Sequence, residues 1–305
     1  MQYSGKHCIV TGGSGFIGQN LVRTLIREGA IVHVIDNFSY GASRSAIHAD
    51  AYIYPGDVIY EESFTQLPDR EYTYLFHFAG PSSVIFFNKN PHTCMYETIV
   101  GLVRAMDYCS KHSIKLIFPS SGSVYAGIKP PHTEQSVLNI KAINTYAETK
   151  YYLEHLQYLY RFHCDSLALR IFAGYGESEG HKHDAASVVY SFCKTMRAGE
   201  RPVIFGDGTQ SRDFIYITDL VDTILNLSHT CQERLVNIGS GTSISFKNLV
   251  DTINAHMGTS IQPLYVRKPR MYLETTKADT SLLHHYFHKS LTPIEHGIEQ
   301  ILSHG

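Results

Sequence analysis

Tyr146 and Lys150 stand four residues apart in Tyr146-Ala-Glu-Thr-Lys150, a spacing that puts both side chains on one face of a helix. A free tyrosine gives up its proton near pH 10, too late to act as a base at neutral pH. A lysine ammonium close by favours the phenolate and brings that loss down. The pair can therefore move a proton off a hydroxyl group whose carbon gives up hydride. Further hydroxyls come from Phe118-Pro-Ser-Ser-Gly-Ser-Val-Tyr125. This stretch follows an apolar run, so its serines fall at the carboxyl edge of a strand, where α/β sheets bind ligands. Taken singly, Ser120 or Ser123 is also explained as part of a Ser/Gly turn.

Hydride chemistry needs an acceptor, and the N-terminal segment supplies its cradle. Val10-Thr-Gly-Gly-Ser-Gly-Phe-Ile-Gly18 follows one apolar run and opens an amphipathic one. Gly12, Gly15 and Gly18 allow a tight turn and close approach to a pyrophosphate, while the helix start at Phe16 and Ile17 offers unpaired N–H groups. Asp36 closes Val32-His-Val-Ile-Asp36 at the expected distance of about 20 residues. There a carboxylate accepts hydrogen bonds from a ribose 2′-hydroxyl and repels a 2′-phosphate. NAD is thus expected rather than NADP. Asp57, in Pro55-Gly-Asp57-Val58, can accept a hydrogen bond from adenine, and Gly-Asp serves a plain turn equally well.

The elements that must position these groups alternate. Short apolar runs at 7–10, 31–35, 51–54, 74–78, 116–119 and 166–171 predict strands, and 15–28, 91–112 and 145–163 predict helices. In the last of these Tyr152, Leu153, Leu156, Leu159 and Tyr160 recur at three- and four-residue spacing. That rhythm belongs to βαβ units and a parallel sheet. Beyond Phe172, glycine-rich turns such as Phe205-Gly-Asp-Gly and Ile238-Gly-Ser-Gly separate shorter elements. The expected fold class is α/β: a Rossmann-like, doubly wound parallel sheet over 1–172, with a smaller C-terminal α/β substrate lobe over 173–305. A segment of about 212–232 is expected to return to the first domain.

Composition narrows the function. The 305 residues carry 26 Lys+Arg against 28 Asp+Glu, a net charge of −2. That balance argues against nucleic acid or an anionic membrane as the main partner. No apolar stretch of spanning length and no signal-peptide pattern is present. The six cysteines are scattered without a Cys-x-x-Cys pair, a usage that suits a reducing cytoplasm. Among eighteen histidines only His181/His183 and His284/His285 lie close together. Neither pair has the other ligands of a metal site at usual spacing, so none is expected.

Together the motifs resemble the extended short-chain dehydrogenases of the NAD-dependent epimerase/dehydratase family, most closely the UDP-glucose 4-epimerase type. They run in that family's order: Thr-Gly-Gly-Ser-Gly-Phe-Ile-Gly, Ile-Asp36-Asn37-Phe-Ser-Tyr-Gly, Gly56-Asp57, His77-Phe78-Ala79, Ser-Ser-Gly-Ser-Val-Tyr, Tyr-Ala-Glu-Thr-Lys, and Gly206 through Asp219. The resemblance covers nearly the whole chain and is weakest after about residue 260. It implies NAD contacts at Asn37, Val58, Phe78 and Ala79 besides the glycine loop, Asp36, Asp57, Tyr146 and Lys150. It gives Ser121 the active-site hydroxyl, Tyr146 the base and Lys150 its activator, with Ser123 also at the substrate. Arg212 takes the place that grips a substrate diphosphate, where a guanidinium fork suits better than a point charge. Arg270 corresponds to a second such arginine, although Arg270-Met-Tyr-Leu replaces the usual Arg-Pro-Gly-Asp. A nucleotide-sugar partner, a UDP-sugar by preference, and a homodimer through the helices over 91–112 and 145–163 follow from the same kinship.

The residues after Ser121 bear on the reaction. Dehydratases of the family place Asp-Glu there, and sugar-acid decarboxylases typically carry a glutamate; this chain has Gly122-Ser123. Without a carboxylate beside Ser121, a second proton transfer lacks its catalyst. Epimerisation at C4 through a transient 4-keto sugar needs only the Tyr/Ser/Lys set. A 4-dehydrogenase, dehydratase or decarboxylase is the alternative. Three positions depart from the family pattern and leave the sugar open: Ala173 and Thr98, each where asparagine is usual, and Gly80-Pro81, where Ala-Gln is usual.

Overall fold

The computed structural model describes residues 2–40, 43–136, 138, 144–269 and 272–303. The chain divides into two compact units. The first comprises Met1–Ser120, Thr145–Leu169 and Ile224–Val236; the second comprises Ser121–Asn144, Arg170–Thr223 and Asn237–Gly305. The division is not a single cut at residue 172. Ser121–Asn144 groups with the second unit, and the segment returning to the first is Ile224–Val236, where the sequence pointed to about 212–232.

The first unit is built on strands β1 (His7–Thr11), β2 (Ile31–Asp36), β3 (Tyr52–Pro55), β4 (Tyr74–His77), β5 (Lys115–Ser121) and β6 (Ser166–Ile171). Four short strands follow along the chain, β7 (Ala173–Tyr175), β8 (Val203–Phe205), β9 (Ser211–Arg212) and β10 (Phe214–Tyr216), and then β11 (Leu235–Ile238). The main sheet has the order β11-β6-β5-β4-β1-β2-β3. The β1–β2, β2–β3, β1–β4 and β4–β5 pairings are all parallel. Strand order reverses between β1 and β4, which is where doubly wound sheets open a crevice at their carboxyl ends. The flanking helices are α1 (Phe16–Arg27), α2 (Glu62–Thr65), α3 (Val84–Lys89), α4 (Pro91–His112) and α5 (Thr145–Leu159). Ile9, Leu75, Leu116 and Phe118 from the strands pack with Leu102, Met106, Leu153 and Leu156 from α4 and α5 in one buried cluster.

Helix α4 spans the expected residues, opened by Pro91 in its first turn and closed by Ser113 in the left-handed conformation. Helix α5 stops at Leu159, short of residue 163. The amides of His163 and Cys164 both turn back to the Tyr160 carbonyl, and the Arg161 guanidinium packs over the rings of Tyr158 and Phe162 at 4.0 and 4.3 Å. Strand β5 runs on to Ser121, beyond the apolar residues that announced it.

In the second unit β7 pairs in parallel with β10. Helix α6 (Val188–Arg197) buries Val189, Phe192, Cys193 and Met196. It packs on the helix Phe246–Met257, which buries Leu249, Val250 and Ile253. Asp213, between β9 and β10, is fully buried. Its carboxylate accepts from the amides of Ser240, Gly241 and Ala278 and from the Ser240 hydroxyl, at 2.6 to 3.0 Å. Four donors on one carboxylate tie three chain segments together and offset part of the penalty of burying it, which still pushes its pKa up.

Candidate active site

Each candidate residue can be followed from its element. Gly12 follows β1 with φ +72°, and a Cβ there would lie 2.6 Å from the backbone of Phe78 and Ala79. A side chain at Gly18 would lie 2.0 Å from the Gly12 carbonyl oxygen. Only glycine lets the β1–α1 turn, the start of α1 and the segment after β4 come this close. The Phe78 amide donates to Thr11 O at 3.0 Å and the Ala79 amide to Thr11 Oγ1 at 3.3 Å, which fixes that segment against the loop. Gly15 is the N-cap of α1 and supplies no capping side chain; no acidic residue occupies the first turn. The uncapped amides and the positive end of the helix dipole suit an anion.

Asp36, at the end of β2, is buried. Its Oδ2 accepts the Ser14 amide at 2.8 Å and the Ser14 hydroxyl at 2.7 Å, and its Oδ1 accepts the Phe38 amide at 2.8 Å. Asn37 Nδ2 donates to Asp57 Oδ2 at 2.9 Å, and Asp57 Oδ1 accepts the Ile59 amide at 3.1 Å. Asp36, which ends β2, and Asp57, after β3, are thus joined through Asn37 into one rim, with Val58 buried beside Gly101. Glycine loop, uncapped helix and acidic rim together fit a dinucleotide with free ribose hydroxyls.

On α5, Tyr146 meets Phe87 edge to face at 5.3 Å between centroids. The Lys150 ammonium lies 5.9 Å from the Tyr146 ring centroid and donates to Pro119 O, in β5, at 3.3 Å. Lys150 is buried, and burial brings its pKa down to about 8. His77, at the end of β4, is pushed to about 3, by burial first and by the Lys150 charge second. It is therefore neutral, sharing a hydrogen bond of 2.9 Å with Thr11 Oγ1.

Ser121, in the second unit, is buried. Its Oγ accepts the Ser123 amide at 3.1 Å and lies 2.8 Å from Ser123 Oγ. The next residue, Gly122, faces the Phe172 ring: a Cβ there would come within 3.0 to 3.2 Å of three ring atoms. Tyr125, at the end of the same motif, is held from three sides. It receives Arg170 Nη1 at 2.6 Å, donates to Asn237 Oδ1 at 2.7 Å and stacks on His132 at 4.7 Å. Arg212 Nη1 donates to Ser211 O at 2.8 Å and Glu274 O at 3.2 Å. The Arg212 guanidinium carbon lies 5.4 and 5.5 Å from the ring centroids of Phe246 and Tyr272. Arg270 falls outside the described residues.

Sequence reasoning did not single out Ser14, Asn237, Phe246 or Tyr272, which contact Asp36, Tyr125 and Arg212. Of these only Ser14 carried a signal, lying inside the glycine motif. Two departures from the family pattern turn out to be neighbours: a Cβ at Gly80, where φ is +111°, would lie 4.0 Å from Thr98 Oγ1. That hydroxyl is buried and has no hydrogen-bond partner among the described residues.

Strand order, glycine cradle and acidic rim define a dinucleotide-binding α/β enzyme. The chain belongs to the NAD dependent epimerase/dehydratase family, whose model matches residues 8–239, and NAD is its cofactor. It is 31% identical over 304 residues to a UDP-glucose 4-epimerase of Lactobacillus helveticus, covering 90% of each chain. Among solved structures it is similar to the UDP-glucose 4-epimerase of Thermotoga maritima with UDP-glucose, at 27% identity, TM-score 0.90 and 98% coverage of both chains. It is also similar to the UDP-N-acetylglucosamine 4-epimerase of Methanobrevibacter ruminantium in complex with UDP-N-acetylmuramic acid. The identity there is 26% and the TM-score 0.90, with 99% of this chain and 98% of that one covered. Among the described residues no helix is long and apolar enough to cross a membrane. Nor do three or more His, Cys, Asp or Glu side chains gather to hold a metal ion. All six cysteines are buried and unbridged.

Proposed function

We propose that this chain is a nucleotide-sugar 4-epimerase acting through a transient 4-keto sugar. Gly122 carries the choice of reaction. A Cβ at Gly122 would crowd the Phe172 ring and the next residue is Ser123, so neither residue after Ser121 supplies a carboxylate for a second proton transfer. Tyr146, as the phenolate, takes the proton of the C4 hydroxyl as the C4 hydrogen leaves as hydride. Lys150 holds the phenolate through its charge, and Ser121 hydrogen-bonds the C4 oxygen. NAD, when bound, supplies the hydride acceptor and then the donor. Tyr146 returns the proton once the ketone has presented its other face, so the reaction is redox-neutral.

Arg212, aided by Arg270 and Ser123, binds the sugar nucleotide, a UDP-sugar, through its diphosphate. The glycine loop with Phe16 and Ile17, the rim Asp36, Asn37, Asp57 and Val58, and Phe78 and Ala79 hold NAD. The protein works in the cytoplasm as a homodimer through α4 and α5, where Tyr96, Tyr152, Tyr158 and Leu159 are exposed. Light scattering of the purified protein checks the dimer.

The activity is tested by NMR after incubation with UDP-glucose, UDP-N-acetylglucosamine and their uronic acids. C4 epimers without net NADH are expected. Net NADH, or an accumulating 4-keto product, would reassign the chain to dehydrogenation, elimination or decarboxylation. Unchanged sugars throughout the panel would overturn the proposal.

A further inference from the structure

Two hydrogen bonds join α5 to the end of β5, one helical turn apart on the helix and one residue apart on the strand. Lys150 Nζ donates to Pro119 O at 3.3 Å. Ser120 Oγ donates to Glu154 Oε1 at 2.5 Å. Glu154 stands four residues after Lys150, so Tyr146, Lys150 and Glu154 form one stripe along the helix. The packing of Leu153 and Leu156 and the bonds from Gln157 Nε2 to Ser166 O and Arg234 O already hold the second half of α5; the two bonds to β5 add a fixed register for the half that carries Tyr146 and Lys150.

We propose that Ser120 and Glu154 are a positioning pair that sets where α5 holds Lys150, and through it Tyr146. This rests on the assignment of Tyr146 and Lys150 as the acid/base pair. Their effect is one of placement and not of charge. Burial alone accounts for the depressed Lys150 titration, so the Glu154 carboxylate is not what tunes the ammonium. The part of Glu154 that matters is the acceptor oxygen facing Ser120, and a glutamine keeps that oxygen. The effect of losing the bond is read in turnover, because misplacing a catalytic group by an ångström lowers rate far more than it lowers substrate affinity.

The test compares Ser120→Ala, Glu154→Ala and Glu154→Gln with the wild type, using the nucleotide sugar that the wild type turns over fastest. Ser120→Ala and Glu154→Ala are expected to lower kcat about tenfold with KM within about twofold. Glu154→Gln is expected to keep kcat and its pH profile. Wild-type kcat in both alanine variants would overturn the proposal, as would a Glu154→Gln variant as impaired as Glu154→Ala. Ser120→Ala removes one hydroxyl and guards against a Glu154→Ala chain that fails to fold.

A second measurement needs no turnover. Acetic anhydride labelling of Lys150 across a pH series, followed by mass spectrometry, reads its titration directly. The wild type is expected to titrate near pH 8. In Glu154→Ala the midpoint should rise toward the ordinary lysine value of about 10.4, because a loosened helix admits water. An unmoved midpoint in both alanine variants would contradict the pair's role. Turnover surviving Tyr146→Phe would instead defeat the acid/base assignment, and the labelling result would still stand by itself.

Discussion

Ser14 and Asp36 are joined by two hydrogen bonds to one carboxylate oxygen, from the serine amide at 2.8 Å and its hydroxyl at 2.7 Å. The glycine loop therefore fixes the carboxylate proposed to meet the adenosine ribose. Asp36→Asn keeps the size and removes the charge. NAD affinity should fall about tenfold and the preference over NADP should shrink, because the 2′-phosphate no longer meets a carboxylate. Calorimetric titration with both nucleotides checks this, and an unchanged NAD/NADP ratio would contradict it.

Lys150 is buried with its pKa lowered to about 8. An unfolded chain holds a lysine proton up to about pH 10.4, so protonation favours unfolding wherever the native group binds its proton less tightly. Lys150→Met removes that penalty. At about pH 7.5 the variant should be more stable by about 3 kcal/mol and inactive, and its advantage should vanish as pH rises toward 10.4. Denaturant unfolding at the two pH values decides it; a destabilised variant at neutral pH would show that the Pro119 bond outweighs desolvation.

Acid should weaken the fold through its buried histidines. His77 is lowered to about 3 and His33 to about 4, both by burial first. The native state keeps them neutral while the unfolded chain takes up protons below about pH 6.5, so stability is lost as pH falls from there toward the folded values. Between about pH 7.5 and about pH 5 His77 alone contributes a loss of about 2 kcal/mol, and His33 acts in the same direction. Equal urea midpoints at those two pH values would rule this out.

Thr98 Oγ1 is a buried hydroxyl without a partner among the described residues. Thr98→Val exchanges it for a methyl group of similar shape and should stabilise the protein by about 1 kcal/mol, since an unpaired buried polar group carries its desolvation penalty uncompensated. A lowered thermal midpoint would mean that the hydroxyl is hydrogen-bonded in solution.

Much of the framework was legible because its signals are local. Apolar runs closed by Gly, Pro or Asp marked β1 to β4 within one or two residues, and Pro91 marked the start of α4. Strand β11 was missed: Leu235–Ile238 is only four residues, running straight into the turn Gly239-Ser-Gly241, and its place beside β6 comes from the returning segment. The pairs that steady the site were illegible for the same reason. Ser120 with Glu154, Tyr125 with Asn237 and Arg212 with Phe246 are far apart in sequence, and each is brought together only by packing. Gly122 showed the opposite limit. Its sequence revealed the missing carboxylate, and the fold revealed that the Phe172 ring stands 3.0 to 3.2 Å from where a Cβ would lie.

The central claim is that hydrogen leaves C4 and returns to the same carbon under the control of Tyr146. UDP-glucose deuterated at C4 tests it most directly, with the products followed by NMR and mass spectrometry. UDP-galactose retaining deuterium at C4, with no product from the Tyr146→Phe enzyme, is the predicted result. Deuterium lost to solvent, or equal product from the Tyr146→Phe enzyme, would contradict it.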